Sequence, residues 1–300
     1  MVGETHRTHN GQVIRIDCFW RDLLSHLEKD RSWRSVFVAG PVDSGKSTLC
    51  RFLGEHFAVR FSTAAIDCDP GQSILGPPAT LALAWEPRKS EVPLAMRFIG
   101  SNTPSGHFLQ ALTSMKRLSE RAFEEGAQKI VFDSCGYPVT AAGREFFYQT
   151  LDLLEPDHLV ALQQIDEMEP LLATFTRRNK PRLHRLPISE EVIRRSRTER
   201  RAYRQQKFKR YFKNAKRQML PLEGMGLHGM IPALKNPQSW DHCLVALCDR
   251  KGFAVAIGVL EKVEMHESRL WIHAPPFDRN QIASVQFGSL RVDHRSGEEL

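Results

Sequence analysis

Four residues of one short stretch, Gly40, Gly45, Lys46 and Ser47 in GPVDSGKSTLC, stand at the spacing G-x-x-x-x-G-K-[ST]. A loop of that kind wraps backbone N–H groups around phosphate oxygens, and glycine is required where a side chain would block the approach. The turn as a whole, Gly40, Asp43, Ser44, Gly45, Lys46, Ser47 and Thr48, then forms a nucleotide cradle. Lys46 reaches the β and γ phosphates of a nucleoside triphosphate and Ser47 ligates its magnesium ion. Further along, IDCDPGQS holds two carboxylates two residues apart, Asp67 and Asp69. Such a pair suits two linked tasks, holding magnesium through its water shell and accepting a proton from an attacking hydroxyl, with Gln72 as a neutral hydrogen-bonding arm. Asp-Pro-Gly is also a good turn, which by itself accounts for Asp69. Asp133 closes the apolar run IVFDS, where P-loop enzymes place the magnesium-linked aspartate. In GSNTPSGHF, Thr103 as N-cap and Pro104 behind it predict a helix start whose free N–H groups, with Thr103, Ser105 and His107, suit a phosphate or a sugar.

These residues need elements to hold them. SVFVAG before the phosphate loop reads as a strand, and STLCRFLGEHF after it as a helix with Leu49, Phe52, Leu53 and Phe57 on one face. DCFWRDLLSHLEKD predicts a helix ahead of that strand, preceded by a loose N-terminus. STAAIDCD, LAMRFIGS, KIVFDS and HLVALQQ read as further strands, with HFLQALTSMKRLSERAFEEGA and AAGREFFYQTLDLL as helices among them. The alternation predicts an α/β fold, a parallel P-loop NTPase sheet with flanking helices and its ligand at the carboxyl ends of the strands. Gly40, Asp67, Gly100 and Asp133 all fall at such ends and are expected to cluster.

From Ser189, taken as an N-cap, SEEVIRRSRTERRAYRQQKFKRYFKNAKR predicts a helix or a pair of helices. Val192, Ile193, Ala202, Tyr203, Phe208, Tyr211, Phe212 and Ala215 would be its packing stripe. After the glycine- and proline-bearing PLEGMGLHGMIP, the runs CLVALCD, AVAIGVLEKVE, RLWIHAP and IASVQFGSLRV predict a small all-β domain of three to five strands. The expected boundaries are a P-loop domain over 1–222, with an arginine-rich helical segment at about 188–217, and a β-rich domain over 225–300.

Net charge is +7, but its distribution is uneven. Residues 177–217 hold 17 Lys and Arg against Glu190, Glu191 and Glu199, a local net of +14, so the remainder carries −7. A cationic footprint of that density fits a polyanion, and few acids nearby in the sequence are available to pair with it. No apolar run is long enough for a membrane span, and the polar MVGETHRTHNGQ lacks a signal core, so a chain that stays inside the cell, in the cytoplasm, is expected. The six cysteines show no C-x-x-C pair and read as reduced thiols. His228, His242, Cys243 and Cys248 are read as structural residues rather than a metal site.

In order and spacing, GPVDSGKST, DCDPGQS…GPP, GSNTPSGHF, DSCGY and RRSRTERRAYRQQKFKRYF resemble the motifs of the RNA polynucleotide 5′-hydroxyl kinases. That family includes the kinase subunit of the pre-mRNA cleavage machinery, the pre-ribosomal-RNA processing kinases and shorter prokaryotic relatives, and this chain is most similar to the short type. The resemblance covers residues 34 to 215, and more weakly the β-rich end. It implies that the P-loop domain over 1–222 is a kinase with the arginine-rich segment at about 188–217 as its lid. It implies ATP and Mg²⁺ as cofactors and a nucleic acid with a 5′-hydroxyl end as substrate, RNA favoured and DNA also considered. It implies Asp69 as the base, with Asp67 and Gln72 organising metal and water, and Ser47, Asp67 and Asp133 around magnesium. Thr103 and Ser105 match the clasp on the nucleic-acid end. Arg195 and Arg200 would stabilise the transition state, with Arg197, Arg201 and Arg204 as backup or substrate contacts. Where many members have Asn-Thr-x-Gly-Trp, this chain has Asp133-Ser134-Cys135-Gly136-Tyr137, and Tyr137 takes the base-stacking place. The alternative reading is a catalytically idle, ATP-bound scaffold in an RNA-processing complex, against which the intact Asp69, Gln72 and lid arginines argue. A GTPase would need N/T-K-x-D, and Asn179 to Arg182 lacks the aspartate.

Overall fold

The computed structural model describes residues 4–7, 13–88, 92–136, 140–232 and 240–300. In chain order the first elements are β1 (Glu4–Arg7), β2 (Val13–Ile16), α1 (Cys18–Lys29), β3 (Ser35–Ala39), α2 (Lys46–Ala58), β4 (Thr63–Cys68), β5 (Thr80–Trp85) and β6 (Ala95–Phe98). Then come α3 (Phe108–Glu124), β7 (Lys129–Ser134), α4 (Ala141–Leu154), β8 (His158–Gln163), α5 (Glu169–Leu172), β9 (Arg182–Pro187) and α6 (Arg197–Tyr211). The last six strands are β10 (Lys216–Pro221), β11 (Gly226–Gly229), β12 (Cys243–Cys248), β13 (Ala254–Glu264), β14 (Arg269–Ala274) and β15 (Ser284–Arg291). Among the described residues no helix is long and apolar enough to cross a membrane.

The chain divides into two compact units. The first comprises residues 1–69, 82–94 and 111–195; the second comprises 70–81, 95–110 and 196–300. Within the first, strands follow the order β5-β4-β7-β3-β8-β9. β3, β4, β7, β8 and β9 run parallel to their neighbours, as expected, while β5 runs antiparallel to β4. Parallel strands covered on both faces read as unbroken apolar runs, and β3, β4, β7 and β8 are buried along their whole lengths. Trp20, Leu23 and Leu27 of α1 and Leu49, Phe52, Leu53 and Phe57 of α2 pack into one core with Val36, Val38, Val131 and Val160 of the sheet.

In the second unit the sheet order is β10-β14-β13-β12-β15-β11, antiparallel except for the parallel β11–β15 pair. Among the described residues five of these strands follow residue 225, within the three to five expected there, and β10 joins them because the chain already turns extended at Lys216. Leu220, Val245, Leu260, Ile272 and Phe287 fill this core. A second cluster joins Phe208 of α6, and Phe212 just past its end, to Phe98, Leu244 and Ile257. Burial drives Tyr211 up to about 12, with its hydroxyl oxygen accepting from the Ile257 N–H at 2.9 Å. Cys243 and Cys248 lie buried in β12, their thiols pushed up chiefly by burial.

Two expected helix starts are displaced. Ser189 caps a turn, its Oγ accepting from the Glu191 N–H at 3.3 Å, and α6 begins only after Ser196. Ser196 and Glu199 form a reciprocal capping box, which outcompetes the earlier serine, and Ile193 of the expected stripe is 85% exposed. Thr103 likewise caps a turn, accepting from the Ser105 N–H at 3.2 Å, since Gly106 at φ 76° cannot continue a helix, and α3 begins at Phe108.

Candidate active site

β3 and α2 place the phosphate loop by direct succession. Gly45 caps α2 at φ 88°, a left-handed conformation that only glycine adopts cheaply, and the loop aims the first N–H groups of the helix inward. Lys46 is buried and donates to the Pro41 carbonyl at 2.6 Å, so its ammonium lies across the loop. Parallel register sets Val38 beside Asp133 and Asp67 beside Asp133, so β3, β4 and β7 end together. Gly40, Asp67 and Asp133 therefore share one edge of the sheet, as expected. Gly100 belongs to the second unit.

Asp133 is buried and hydrogen-bonded to Ser47. Burial raises its proton affinity, against the Ser47 hydrogen bond and the charges of Lys46 and Arg88. Its Oδ1 is buried with no hydrogen-bond partner. An orphaned carboxylate oxygen beside the Ser47 hydroxyl of the phosphate loop is an oxygen-only donor set that suits magnesium. Asp67, buried beside it, accepts the Asp69 N–H on Oδ1 at 3.1 Å and so fixes the main chain from which the Asp69 carboxylate projects.

Arg195 also meets this loop. Its backbone N–H donates to Asp43 Oδ2 at 2.9 Å and its Nε lies 3.5 Å from Asp43 Oδ1. Asp43 itself stands at φ 54°, in the left-handed region that non-glycine residues seldom adopt. Beyond β7, Gly136 packs against Val42. Tyr137, expected to stack on a base, lies outside the described residues. Sequence reasoning missed Arg88, whose guanidinium is nearly buried against Glu86 at 2.7 Å and whose charge acts on Asp133. It sits in no motif, and only the antiparallel β5 carries it there.

In the second unit, Gln72 donates to the Gly71 carbonyl at 3.0 Å. His107 is buried, with Nε2 3.0 Å from Ser289 Oγ, and burial lowers its pKa. Thr103 and Ser105 lie on the turns before it. Arg197, Arg200, Arg201 and Arg204 all lie on α6. Tyr203 Oη donates to the Ser73 carbonyl at 2.9 Å and Lys207 Nζ to the Ile74 carbonyl at 2.8 Å, binding α6 to the segment that follows Gln72.

The local shortage of acids around the basic segment does not persist in three dimensions. Distant acids reach it within each unit: Asp152 to Arg178, Asp157 to Lys180, Asp30 to Arg182, Glu169 to Arg185, Glu299 to Arg204 and Glu261 to Arg217. Part of the +14 is thus a salt-bridged surface, paired by acids that lie far away in the sequence.

A parallel sheet whose central strand enters a glycine-bearing phosphate loop, with an aspartate closing the neighbouring strand beside the loop serine, defines a P-loop nucleotide-binding protein. The profile of the family described as mRNA cleavage and polyadenylation factor CLP1 P-loop matches residues 40–214, and this chain belongs to that family. It is 27% identical to the polyribonucleotide 5′-hydroxyl-kinase MJ1315 of Methanocaldococcus jannaschii, over 93% of this chain and 92% of the relative. It is 28% identical to PF0112 of Pyrococcus furiosus, of the same name, over 88% and 89%. The polyribonucleotide 5′-hydroxyl-kinase Clp1 of Bos taurus is 30% identical over 62% of this chain but 46% of its own length. Among solved structures, the wild-type Clp1p–Pcf11p (454–563) complex shares the fold at a TM-score of 0.69, with 13% identity over 95% of this chain and 82% of the other.

Proposed function

We propose that the protein is an ATP- and Mg²⁺-dependent polynucleotide 5′-hydroxyl kinase that transfers the γ-phosphate of ATP to the 5′-hydroxyl end of RNA, with DNA as a further substrate. The observation that carries this reading is the Lys46–Ser47–Asp133 arrangement beside the Asp67–Asp69 pair, in a chain related along nearly its whole length to polyribonucleotide 5′-hydroxyl-kinases. Ser47, Asp67 and Asp133 would hold magnesium, which when bound neutralises phosphate charge. Gly40, Asp43, Ser44, Gly45 and Thr48 cradle the nucleotide, and Lys46 pairs with its terminal phosphates. Asp69 accepts the proton of the 5′-hydroxyl as that oxygen attacks the γ-phosphorus, and the bond to the bridging oxygen breaks, leaving ADP with the electron pair. Gln72 steadies the attacking group. Arg195 and Arg200 meet the charge that develops on the transferred phosphoryl group. Thr103, Ser105, His107 and Tyr137 hold the terminal nucleotide, and Arg197 and Arg201 the backbone behind it.

The proton-transfer role is tested with Asp69→Asn. The variant is expected to bind ATP as the wild type does while phosphorylating a 5′-hydroxyl oligoribonucleotide at least about a hundredfold more slowly. Full transfer by Asp69→Asn would remove Asp69 from the chemistry.

A further inference from the structure

Residues 292–300 close a short loop beyond β15. Gly297 N–H donates to the Asp293 carbonyl at 2.8 Å, Asp293 N–H to the Glu298 carbonyl at 2.9 Å, and Leu300 N–H to the Arg291 carbonyl at 3.0 Å. This loop lies against α6 so closely that a Cβ at Gly297 would fall 2.3 Å from the Gln205 carbonyl oxygen. The closure delivers Glu299 to Arg204. Both carboxylate oxygens accept from that guanidinium, Oε1 from Nε at 2.5 Å and Oε2 from an Nη at 3.0 Å. The two side chains are only 15% and 13% exposed. Glu299 Oε2 also accepts from Asn102 Nδ2 at 3.2 Å, and Asn102 is the residue before Thr103. Arg201 adds a bond to the Glu299 carbonyl at 2.8 Å and reaches Glu298 at 3.4 Å. One carboxylate therefore joins the arginine helix to the loop that carries Thr103 and Ser105.

We infer that Glu299 is a positioning residue, which sets α6 against the Thr103–Ser105 loop, and that Arg204 acts through it rather than on nucleic acid. This role rests on the kinase reading above. A guanidinium spent bidentately on a mostly buried carboxylate is not released to a solvated phosphate, since departure would strand Glu299 without its cation. Arg204 is therefore withdrawn from the row of substrate contacts, while the more exposed Arg201 keeps donors for the backbone.

The test measures binding of a 5′-hydroxyl single-stranded RNA by fluorescence anisotropy across a salt series, with transfer kinetics alongside. Arg204→Gln and Glu299→Gln are each expected to weaken RNA binding about tenfold, and the double variant no further, because the pair acts as one unit. The slope of log affinity against log salt should stay at the wild-type value in all three, and the KM for ATP should not move. Glu299→Asp should recover part of the loss. Asn102→Ala, which leaves the ion pair intact, should weaken RNA binding about threefold. Loss of about 0.7 from the salt slope in Arg204→Gln, with Glu299→Gln harmless, would make Arg204 a phosphate contact and overturn the inference. Tighter RNA binding by Glu299→Gln would overturn it in the other direction, making the acid a competitor of the substrate. Wild-type protein that binds no RNA would instead overturn the kinase reading, and this role with it.

Discussion

Asp43 holds Arg195 twice, by the backbone N–H and by the guanidinium, and the arginine proposed to meet the transferred phosphoryl group is therefore set by the loop that binds the nucleotide. Single-turnover transfer at saturating ATP should fall about tenfold in Asp43→Ala, the loss of one charge-assisted contact, and about a thousandfold in Arg195→Ala. Equal rates in Arg195→Ala and wild type would remove Arg195 from the chemistry. Residues of this kind were legible to different degrees. The places of Lys46, Ser47 and Asp133 in the fold follow from spacing and strand ends alone, because a phosphate loop must leave a strand and IVFDS closes a neighbouring one. Arg88 was not legible, since its place depends on an antiparallel turn-back of the chain that no motif marks.

At the scale of the element, the arginine helix owes its start to the Ser196–Glu199 capping box and its seat to Phe208 and Phe212. Ser196→Ala should cost about 1 kcal/mol and Phe208→Ala about 3–5 kcal/mol, read as shifts in the denaturant midpoint. If Ser196→Ala left stability unchanged, the helix would not depend on that cap. The arginine-rich segment contains two serines followed by acids, Ser189 and Ser196, and local propensity does not choose between them. The choice falls to the reciprocal bond from Glu199, which sits at the third helical position only when Ser196 is the cap. β5 and β9 escaped sequence reading for different reasons. β5 follows directly on a proline-bearing loop, and β9 is an edge strand with Arg182, His184 and Arg185 in a run too polar to stand out.

Over the molecule as a whole, charge and proton balance decide what can be measured most simply. Sequence-local counting overstated the free positive charge because the acids that meet it come from as far as 152 residues away, as Asp30 does for Arg182. The same region holds a histidine pair, His158 Nδ1 lying 2.9 Å from His184 Nε2, with His26, Asp30 and Arg182 around it. Burial first, and then the charges of His158, His26 and Arg182, lower His184 to about 4 from an ordinary value of 6.5. Between those two values the unfolded chain binds more protons at this position than the folded one. Stability fully present above pH 6.5 is therefore lost as pH falls toward 4. The thermal midpoint of the wild type should drop across that window, and the drop should be smaller in His184→Gln; identical pH profiles would show that His184 stays neutral at no cost.

The central claim is phosphoryl transfer to a 5′-hydroxyl, and it is tested most directly with γ-labelled ATP, magnesium and one short RNA prepared in two forms, 5′-hydroxyl and 5′-phosphate. Label on the 5′-hydroxyl form alone, absent with Lys46→Ala, is the predicted result. ATP bound to the wild type with no label on either RNA, or on the matching DNA, would contradict it and leave a nucleotide-clamped scaffold in its place.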